Sequence, residues 1–250
     1  MRRKFVLAIL TVAALIFIAV SLPKPHVAAT NVPTPVLVEL FTSEGCSSCP
    51  PADRLLAQLQ QQHTIENAEL ILLGEHVDYW NNLGWKDRFS SSDFTERQRE
   101  YADSLGLTSA YTPQVVVDGH IDVLGNDQHS LERAILRASS APKPAQVALQ
   151  WTSPDVINVS VTNANKGRVL LAVTEDDLTT QVGGGENGGH TLHHSAVVRE
   201  LRVLGSATNG SYSNAVKVNW RQDWNRANSR AIVFVQLANG QVLGAASLKP

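Results

Sequence analysis

Apolar and polar residues alternate along positions 33–141 in a pattern that predicts strands and helices in turn. The runs Val36–Thr42 and Leu70–Val77 have the length and composition of buried strands. Between them, leucines recur at helical spacing and predict a helix over Ala52–Gln61. A strand, a helix and a second strand in this order predict two parallel strands joined by a crossover helix.

The rest of this region continues the same pattern. It predicts two further helices and two short strands joined by an Asp-Gly turn: Phe94–Leu105, Gln114–Val117, Ile121–Leu124 and Ser130–Ala138. We therefore expect an α/β domain over 33–141 with the order β-α-β-α-β-β-α. Residues 142–144, Pro-Lys-Pro, indicate a linker.

Short runs rich in Val and Thr replace this pattern from Gln146 onwards. Turn residues, including two Asn-Gly pairs, separate seven predicted strands: Val147–Trp151, Val156–Val161, Val169–Thr174, Val197–Leu204, Ala215–Val218, Ala231–Gln236 and Val242–Ala246. Seven short strands over about 105 residues are typical of a β-sandwich. The sequence thus predicts a second, all-β domain over 146–250, which could recognise a partner or shield a cleft.

Residues 1–29 have the features of a targeting segment. Three basic residues at 2–4 precede an almost wholly apolar run, Phe5–Val20, and small residues follow at Val27–Ala29. The apolar run is shorter than the ~20 residues of a membrane-spanning helix. We expect a cleaved signal peptide, with an uncleaved N-terminal anchor as the alternative, and a periplasmic or secreted protein.

Composition excludes one large class of partners. The chain has 250 residues, with 21 Lys and Arg against 23 Asp and Glu. Residues 1–29 hold four of the basic residues and no acidic one, so the remainder carries 17 basic and 23 acidic residues, a net charge of −6. An acidic surface does not fit nucleic acid. We expect no nucleic-acid partner, and no membrane contact beyond the N-terminal anchor.

Cys46-Ser47-Ser48-Cys49 contains the only two cysteines of the sequence. The motif lies between a predicted strand and a predicted helix, where the helix N-terminus favours a thiolate. The pattern predicts thiol–disulfide exchange without a cofactor, in which Cys46 is the nucleophile and Cys49 the resolving thiol. A permanent Cys46–Cys49 disulfide is the alternative, although closing about four residues removes only ~1.9 kcal/mol of unfolded-state entropy.

The strand, the C-x-x-C turn, the helix and a later Thr112-Pro113 together resemble the thioredoxin fold. The resemblance implies that Pro113 is cis and faces the dithiol, and that the Thr112 backbone binds a protein substrate. It also implies a buried carboxylate on the first strand, here Glu39, as a proton acceptor. Gly45 and the two serines of the motif depart from the family pattern, so its redox potential does not carry over.

A closer similarity is to an uncharacterised secreted bacterial family with this fold, domain of unknown function family 1223. Four segments carry it: 39–53 around the cysteines, 76–80 with 83–87, 111–114 with Tyr-Thr-Pro-Gln, and 185–190 with 197–199. The similarity implies the fold over most of 35–250 and implies no activity. It directs interest to Glu186 and Asn187 without assigning them a role.

Metal binding by the same dithiol is a competing hypothesis. Two thiolates three residues apart suit Cu(I), or half of a zinc site. His76, at the end of the neighbouring strand, is the candidate third ligand with Cys46 and Cys49. The histidines at 190, 193 and 194 lie in a predicted loop, where solvent exposure is the usual outcome. A third hypothesis is a non-catalytic interaction module.

Four further residues are candidates for substrate binding. His76 and Asp78 share one face if the strand continues, and would line the cleft at the carboxyl ends of the parallel strands. Trp80 and Trp85 would form an apolar platform for a peptide. The alternatives are a hydrogen-bonded pair that orders the loop, and aromatic residues that anchor it. A hydrolase built on Ser195 is rejected, because the Gly-x-Ser-x-Gly elbow is missing.

Overall fold

A computed structural model describes residues 32–164 and 166–250 of the chain. The predicted targeting segment, residues 1–29, lies outside them, so the expected signal and its export stay predictions. Within the described part, none of the helices combines the length and apolar composition that a membrane span requires.

Fourteen strands and three α-helices make up the part of the chain that the structure describes. In sequence order they are β1 Thr34–Thr42, α1 Pro50–Gln62, β2 Thr64–Ile65, β3 Ala68–His76, α2 Ser92–Ser104, β4 Gln114–Val117, β5 Ile121–Leu124, α3 Gln128–Ser139, β6 Gln146–Ser153, β7 Val156–Thr162, β8 Arg168–Glu175, β9 Leu178–Gln181, β10 Thr191–His194, β11 Val197–Ser206, β12 Tyr212–Lys217, β13 Ser229–Gln236 and β14 Val242–Leu248. The fold is a sheet-rich mixture of helices and strands.

Nine strands form one mixed sheet. Its order is β14-β13-β8-β11-β3-β1-β4-β5, and β2 pairs with β3 beside this path. β1 is parallel to β3 over its whole length, from Thr34 opposite Ala68 to Thr42 opposite His76. β4 is antiparallel to β1, and β5 is antiparallel to β4. The carboxyl ends of β1 and β3 therefore lie side by side at one edge of the sheet.

Residues of β1 show how both faces of this sheet are covered. Val36, Val38 and Leu40 belong to the apolar cluster that includes residues of α1 and α3. The intervening Leu37 and Phe41 point to the opposite face, into two clusters that include residues of α2. Because successive side chains of a strand alternate between faces, a fully apolar strand needs cover on both sides.

The large sheet crosses the predicted domain boundary. β11 joins β3 where Val197 lies opposite Gly74, and β8, β13 and β14 extend the sheet from there. β6, β7 and β12 form a separate three-stranded sheet, and an apolar cluster joins residues of β7 to residues of β8 and β13. Two sheets therefore pack on each other within 146–250, and one of them continues into the first half of the chain.

The structure corrects the two-domain prediction accordingly. Residues 32–250 form one compact unit instead of separate domains at 33–141 and 146–250. Leu37 and Ile71 from the first half share an apolar cluster with Leu170 and Phe234 from the second half. Apolar runs report how deeply a strand is buried, but not which strand lies beside it.

A second correction concerns the region around the histidines, which the sequence predicts to be a loop. β9 and β10 pair as an antiparallel hairpin, from Thr191 opposite Gln181 to His194 opposite Leu178. Residues 182–190 connect the two strands and are called the hairpin loop below. Short polar strands such as Leu-Thr-Thr-Gln carry too little apolar periodicity to be recognised from the sequence.

Candidate functional site

Cys46 and Cys49 form a disulfide on the turn between β1 and α1. Cys49 is the N-cap residue of α1, and its carbonyl oxygen accepts hydrogen bonds from Ala52 N at 2.8 Å and Asp53 N at 3.1 Å. Cys49 N itself donates to Cys46 O at 3.2 Å. Pro50-Pro51 has no N–H groups to offer. At the helix N-terminus, which the sequence predicts to favour a thiolate, the first N–H groups are therefore missing or engaged elsewhere.

Two hydroxyl groups approach the Cys46 sulfur instead. Thr112 Oγ1 donates to Cys46 Sγ at 3.4 Å, and Ser48 Oγ lies 3.4 Å from the same atom. Trp80 Nε1 donates to Thr112 Oγ1 at 2.9 Å and so fixes the orientation of that hydroxyl. The Thr112–Pro113 peptide is cis, as the resemblance implies. Hydrogen bonds of this kind stabilise negative charge on a sulfur atom.

Both cysteine side chains are fully buried, at 0% exposure, although Ser47 and Ser48 between them are exposed. A disulfide is attacked along the axis of its S–S bond by a thiolate, so access matters as much as thiol chemistry. In the conformation that the structure shows, the bond is closed to a protein partner. Exchange at this site requires a movement that uncovers it.

Trp80 and Trp85 are half-buried, and each uses its indole N–H inside the site. Trp80 binds Thr112 as described above. Trp85 Nε1 donates to Glu44 Oε2 at 2.7 Å. This geometry favours the alternative in which both rings anchor their loop. Trp80 still lines the wall next to the dithiol and remains a candidate for substrate contact.

His76 and Asp78, which the sequence grouped together, bind different partners. His76 is 1% exposed, and its Nδ1 lies 2.6 Å from Asp87 Oδ2. Asp78 Oδ1 accepts a hydrogen bond from Thr95 Oγ1 at 2.6 Å, at the start of α2. Neither contact lines an open cleft. The sequence does not predict Asp87 as the partner, because no spacing rule links the last residue of a strand to one 11 positions later.

His76 belongs to a buried group of ionisable side chains near residues 43–49, which connect β1 to α1 and are called the dithiol turn below. Burial disfavours its charged form, but the Asp87 carboxylate outweighs this effect and raises the pKa of His76. Burial likewise acts against ionised Asp87, yet the charge of His76 prevails and lowers the pKa of that carboxyl. The structure therefore favours a charged pair here.

Asp53 adds a carboxyl with the opposite tendency to this group. It lies on α1 one helical turn after Cys49, is buried, and accepts a hydrogen bond from Thr42 Oγ1 at 2.9 Å. Burial raises the pKa of Asp53, although His194 and His76 partly oppose the effect. Residues four apart on a helix lie on the same face. Asp53 is thus a buried carboxyl near the start of the helix that carries the dithiol.

Glu39 is bound by Arg97 and Tyr101 inside the protein. Its Oε1 accepts a hydrogen bond from Tyr101 at 2.5 Å, and its Oε2 accepts one from Arg97 Nε at 2.7 Å. Arg97 also lies 3.4 Å from Glu75. Burial, together with the charge of Glu39, raises the pKa of Glu75 well above its usual range despite Arg97. The structure thus shows Glu39 as a buried carboxylate with a basic partner, Arg97.

The hairpin loop brings Glu186 and Asn187 to the dithiol turn. Asn187 Nδ2 donates to Glu44 O and to Cys46 O, both at 2.9 Å. Glu186 Oε2 accepts a hydrogen bond from Ser47 N at 3.1 Å. The sequence draws attention to both residues but does not assign them a role. Each is separated from its partner by 139 to 143 positions, and only the folded sheet brings residues so far apart in sequence into contact.

The proposed metal ligands are not assembled. Across 32–164 and 166–250, no group of three or more His, Cys, Asp or Glu side chains is arranged to hold a metal ion. Cys46 and Cys49 bond to each other, and His76 is engaged by Asp87. The later histidines also separate: His193 is exposed on β10, whereas His194 is buried against His76, with ring centroids 4.9 Å apart.

The sequence profile of the family described as "Protein of unknown function (DUF1223)" matches residues 37–236. The chain belongs to the DUF1223 family. A protein of Agrobacterium tumefaciens, whose crystal structure was solved as a structural genomics target, is similar to this DUF1223 protein. It gives a TM-score of 0.68 at 27% identity, over 86% of this chain and 94% of that chain.

The remaining comparisons add no activity to the DUF1223 protein. The structure of OgpA from Akkermansia muciniphila gives a TM-score of 0.25 at 17% identity, over 43% of this chain and 28% of that chain. A TM-score this low supports no conclusion about the fold or the function of this chain. Among curated proteins, none matches the chain.

Proposed function

We propose that this protein exchanges disulfides with a protein substrate through Cys46 and Cys49, as an exported thiol–disulfide oxidoreductase. The observation that carries the proposal is the hydroxyl of Thr112, 3.4 Å from Cys46 Sγ. It brings the bend before β4, where a substrate backbone would bind, directly onto the disulfide. A structural disulfide does not need a polar donor on one sulfur.

A thioredoxin-like unit running from β1 to α3 belongs to the same proposal. The neighbouring strands β5-β4-β1-β3 support it, since only β1 and β3 of these are parallel. The position of the cysteines at the start of α1 supports it as well. The fold alone carries no activity, so the assignment rests on the site.

Exchange at the oxidised site proceeds in two steps. A substrate thiolate attacks Cys46 Sγ, a mixed disulfide forms, and the Cys46–Cys49 bond breaks with Cys49 leaving as a thiolate. A second substrate thiolate then attacks the substrate sulfur of the mixed disulfide and releases Cys46. Two electrons pass to the protein, the substrate gains a disulfide, and its two thiol protons pass to the released cysteines or to solvent. The reverse steps reduce a substrate disulfide, and a dithiol reductant then restores the protein.

Cys46 is the attacked and attacking sulfur in this scheme. The hydroxyls of Ser48 and Thr112 lie within hydrogen-bond distance of its Sγ and would stabilise the thiolate of the reduced protein. Asp53 replaces Glu39 as the candidate proton acceptor. It lies one turn beyond Cys49, and its raised pKa suits a group that takes up a proton.

Trapping of the mixed disulfide tests the proposal. Because the resolving thiol is gone, the reduced Cys49→Ser variant should form a covalent adduct with insulin whose disulfides are intact. Dithiothreitol should release this adduct. The Cys46→Ser variant is the matched control and should form at least tenfold less adduct. Equal adduct formation by the two variants, or none by either in the folded state, would contradict the assignment.

A non-catalytic interaction module with a structural disulfide is the second candidate. The complete burial of Cys46 and Cys49 favours it. The two candidates differ in insulin reduction assays with dithiothreitol as electron source. The proposed oxidoreductase speeds precipitation of the insulin B chain, whereas a structural disulfide leaves it at the rate of the reductant alone.

Export is the third part of the proposal. Residues 1–29 carry the basic start, the apolar run and the small residues of a signal peptide. A disulfide between the two cysteines fits an oxidising compartment such as the periplasm. N-terminal sequencing of protein recovered from the periplasm or the medium tests export, and a product retained in the cytoplasm would refute it.

A further inference from the structure

The tip of the β9–β10 hairpin lies on the turn that carries the disulfide. Glu186 and Asn187 are the two central residues of a turn in which Gly188 N donates to Gly185 O at 3.2 Å. The Asn187 amide donates to two carbonyl oxygens of the dithiol turn, and the Glu186 carboxylate accepts from the N–H of Ser47. Three hydrogen bonds thus join the hairpin loop to the main chain around Cys46.

The side-chain amide of Asn187 is committed to this contact. It is 7% exposed, and both N–H groups of its amide are used, one on Glu44 O and one on Cys46 O. A buried polar group that loses its partners costs free energy, so the amide and the two carbonyl oxygens hold each other in place. The main chain of the dithiol turn cannot shift while these bonds exist.

Close packing fixes the hairpin loop in this position. A Cβ atom on Gly184 would lie 2.5 Å from Gly84 O, so a side chain there has no room. A Cβ atom on Gly183 would lie 3.0 Å from the ring of Trp85. The neighbouring Arg88 donates from Nη2 to Thr179 O at 2.9 Å and holds the base of the hairpin. The loop is therefore fitted against the loop that follows β3.

The dithiol turn also lies against Trp80. A Cβ atom on Gly45 would lie 3.0 Å from Trp80 Cβ, and Trp80 is bound to Thr112, which contacts Cys46 Sγ. The turn is thus held between the hairpin loop on one side and Trp80 with Thr112 on the other. To expose Sγ, the turn has to move away from this wall.

We propose that Glu186 and Asn187 are positioning residues that hold the dithiol turn in its closed position and so control access to the Cys46–Cys49 disulfide. We call this restraint the lock. Release of the hairpin loop frees the main chain of residues 44–47, and only then does a substrate thiolate reach Cys46. The inference rests on the proposed function, since it describes how exchange at the same disulfide is controlled.

Glu186 gives the lock a dependence on redox state. Its carboxylate binds the N–H of the residue directly after Cys46, so it lies close to the thiolate that reduction creates. Because like charges repel, the Glu186 carboxylate disfavours the Cys46 thiolate while the hairpin loop is bound to the dithiol turn. Once the thiolate exists, the same repulsion weakens the binding of the loop. The oxidised protein holds the loop more firmly than the reduced protein.

The rate of reduction of the oxidised full chain by tris(hydroxypropyl)phosphine, a small uncharged reductant, tests the lock. Asn187→Ala should raise the second-order rate constant at least tenfold, and Glu186→Gln several-fold. Glu100→Gln, at an exposed position on α2, is the matched control and should leave it unchanged. Folding of each variant is checked by circular dichroism. If Asn187→Ala does not fold, the exposed Glu186→Gln variant decides.

A second readout separates positioning from mere support. In the reduced protein, Glu186→Gln should lower the pKa of the Cys46 thiol by a few tenths of a unit to about one unit, which a purely structural role would not do. Unchanged reduction rates in the folded Glu186 and Asn187 variants would overturn the lock, even if insulin is reduced. Faster phosphine reduction without any insulin reduction would support the lock and count against the proposed function.

Discussion

Replacing Glu39 with Gln should lower the free energy of unfolding and leave disulfide exchange intact. The Glu39 carboxylate is buried and accepts hydrogen bonds from Arg97 Nε at 2.7 Å and from the Tyr101 hydroxyl at 2.5 Å. A hydrogen bond to a charged group contributes about 1.5–3 kcal/mol. Removing one partner of a buried ion pair costs about 3–5 kcal/mol, because the other charge is left unpaired.

Glu75 should bring the loss of stability in Glu39→Gln below the about 3–5 kcal/mol expected when a buried charge is left unpaired. Its carboxyl lies 3.4 Å from Arg97, and the charge of Glu39 contributes to its raised pKa. When Glu39 is neutral, Glu75 can ionise and pair with Arg97, so we expect a loss of about 2–3 kcal/mol for Glu39→Gln. Arg97→Met leaves both carboxyls without a cation and should cost about 3–5 kcal/mol.

Urea denaturation followed by circular dichroism measures these losses. Arg99→Met is the matched control, because Arg99 is an exposed arginine on the same helix that pairs with Glu96 at 3.4 Å. An exposed pair of this kind contributes about 0.5 kcal/mol or less. A stability change for Arg97→Met as small as that for Arg99→Met would refute the reasoning.

Exchange kinetics complete the comparison between the two candidate carboxyls. Glu39→Gln should keep the wild-type rate and pH profile of insulin reduction. Asp53→Asn should remove from that pH profile an inflection at a pH above the ordinary pKa of an Asp carboxyl. The sign follows from the raised pKa of buried Asp53, which keeps it protonated to higher pH than a free Asp. If Glu39→Gln abolishes exchange at unchanged stability, Glu39 is the proton acceptor and the assignment made above is wrong.

Two further predictions concern stability. The raised pKa of His76 gives a stabilising contribution that is complete below roughly pH 6.5, the unfolded-state value, and is lost as pH rises through the folded pKa. The lowered pKa of Asp87 contributes above roughly pH 3.9 and is lost on further acidification. Denaturation curves from pH 5 to 9 should thus show a decline on the alkaline side that Asp87→Asn removes, and a decline of equal size in that variant would contradict the pairing. Replacing Cys46 and Cys49 together by Ser should lower the free energy of unfolding by no more than about 2 kcal/mol, since the closed loop is four residues long. Thermal denaturation checks this, and a much larger loss would mean that the disulfide is a main structural support.

Local sequence signals predicted the elements and the core of the site. The leucine spacing of α1, the apolar runs of β1 and β3 and the seven Val/Thr-rich strands depend on neighbours within a few positions, so they can be recognised from the sequence. The C-x-x-C turn and Thr112-Pro113 are of the same kind, and Thr112 does contact Cys46. They are short motifs whose geometry is fixed by the elements beside them.

Long-range partners could not be predicted in this way. Glu39 and Arg97 are 58 positions apart, and Cys46 and Asn187 are 141 apart. A buried carboxylate indicates that some partner exists, since an unpaired buried charge is costly, but not which residue provides it. The pairing of β11 with β3 is similarly hidden, because one residue pair, Val197 with Gly74, establishes it.

Gly74 explains why the two halves of the chain form a single site. Its amide donates to Ala196 O at 2.7 Å, and a Cβ atom there would lie 3.3 Å from Ser195 O, so the second half packs against β3 main chain to main chain. This contact places β10 and its hairpin at the carboxyl ends of β1 and β3, where the dithiol turn begins. The first half therefore supplies Cys46 and Cys49, and the second half supplies Glu186 and Asn187, which bind the main chain beside Cys46. A fragment ending before 146 would lose Asn187 and uncover the apolar face of β3, so its thiol reactivity would not represent that of the intact chain.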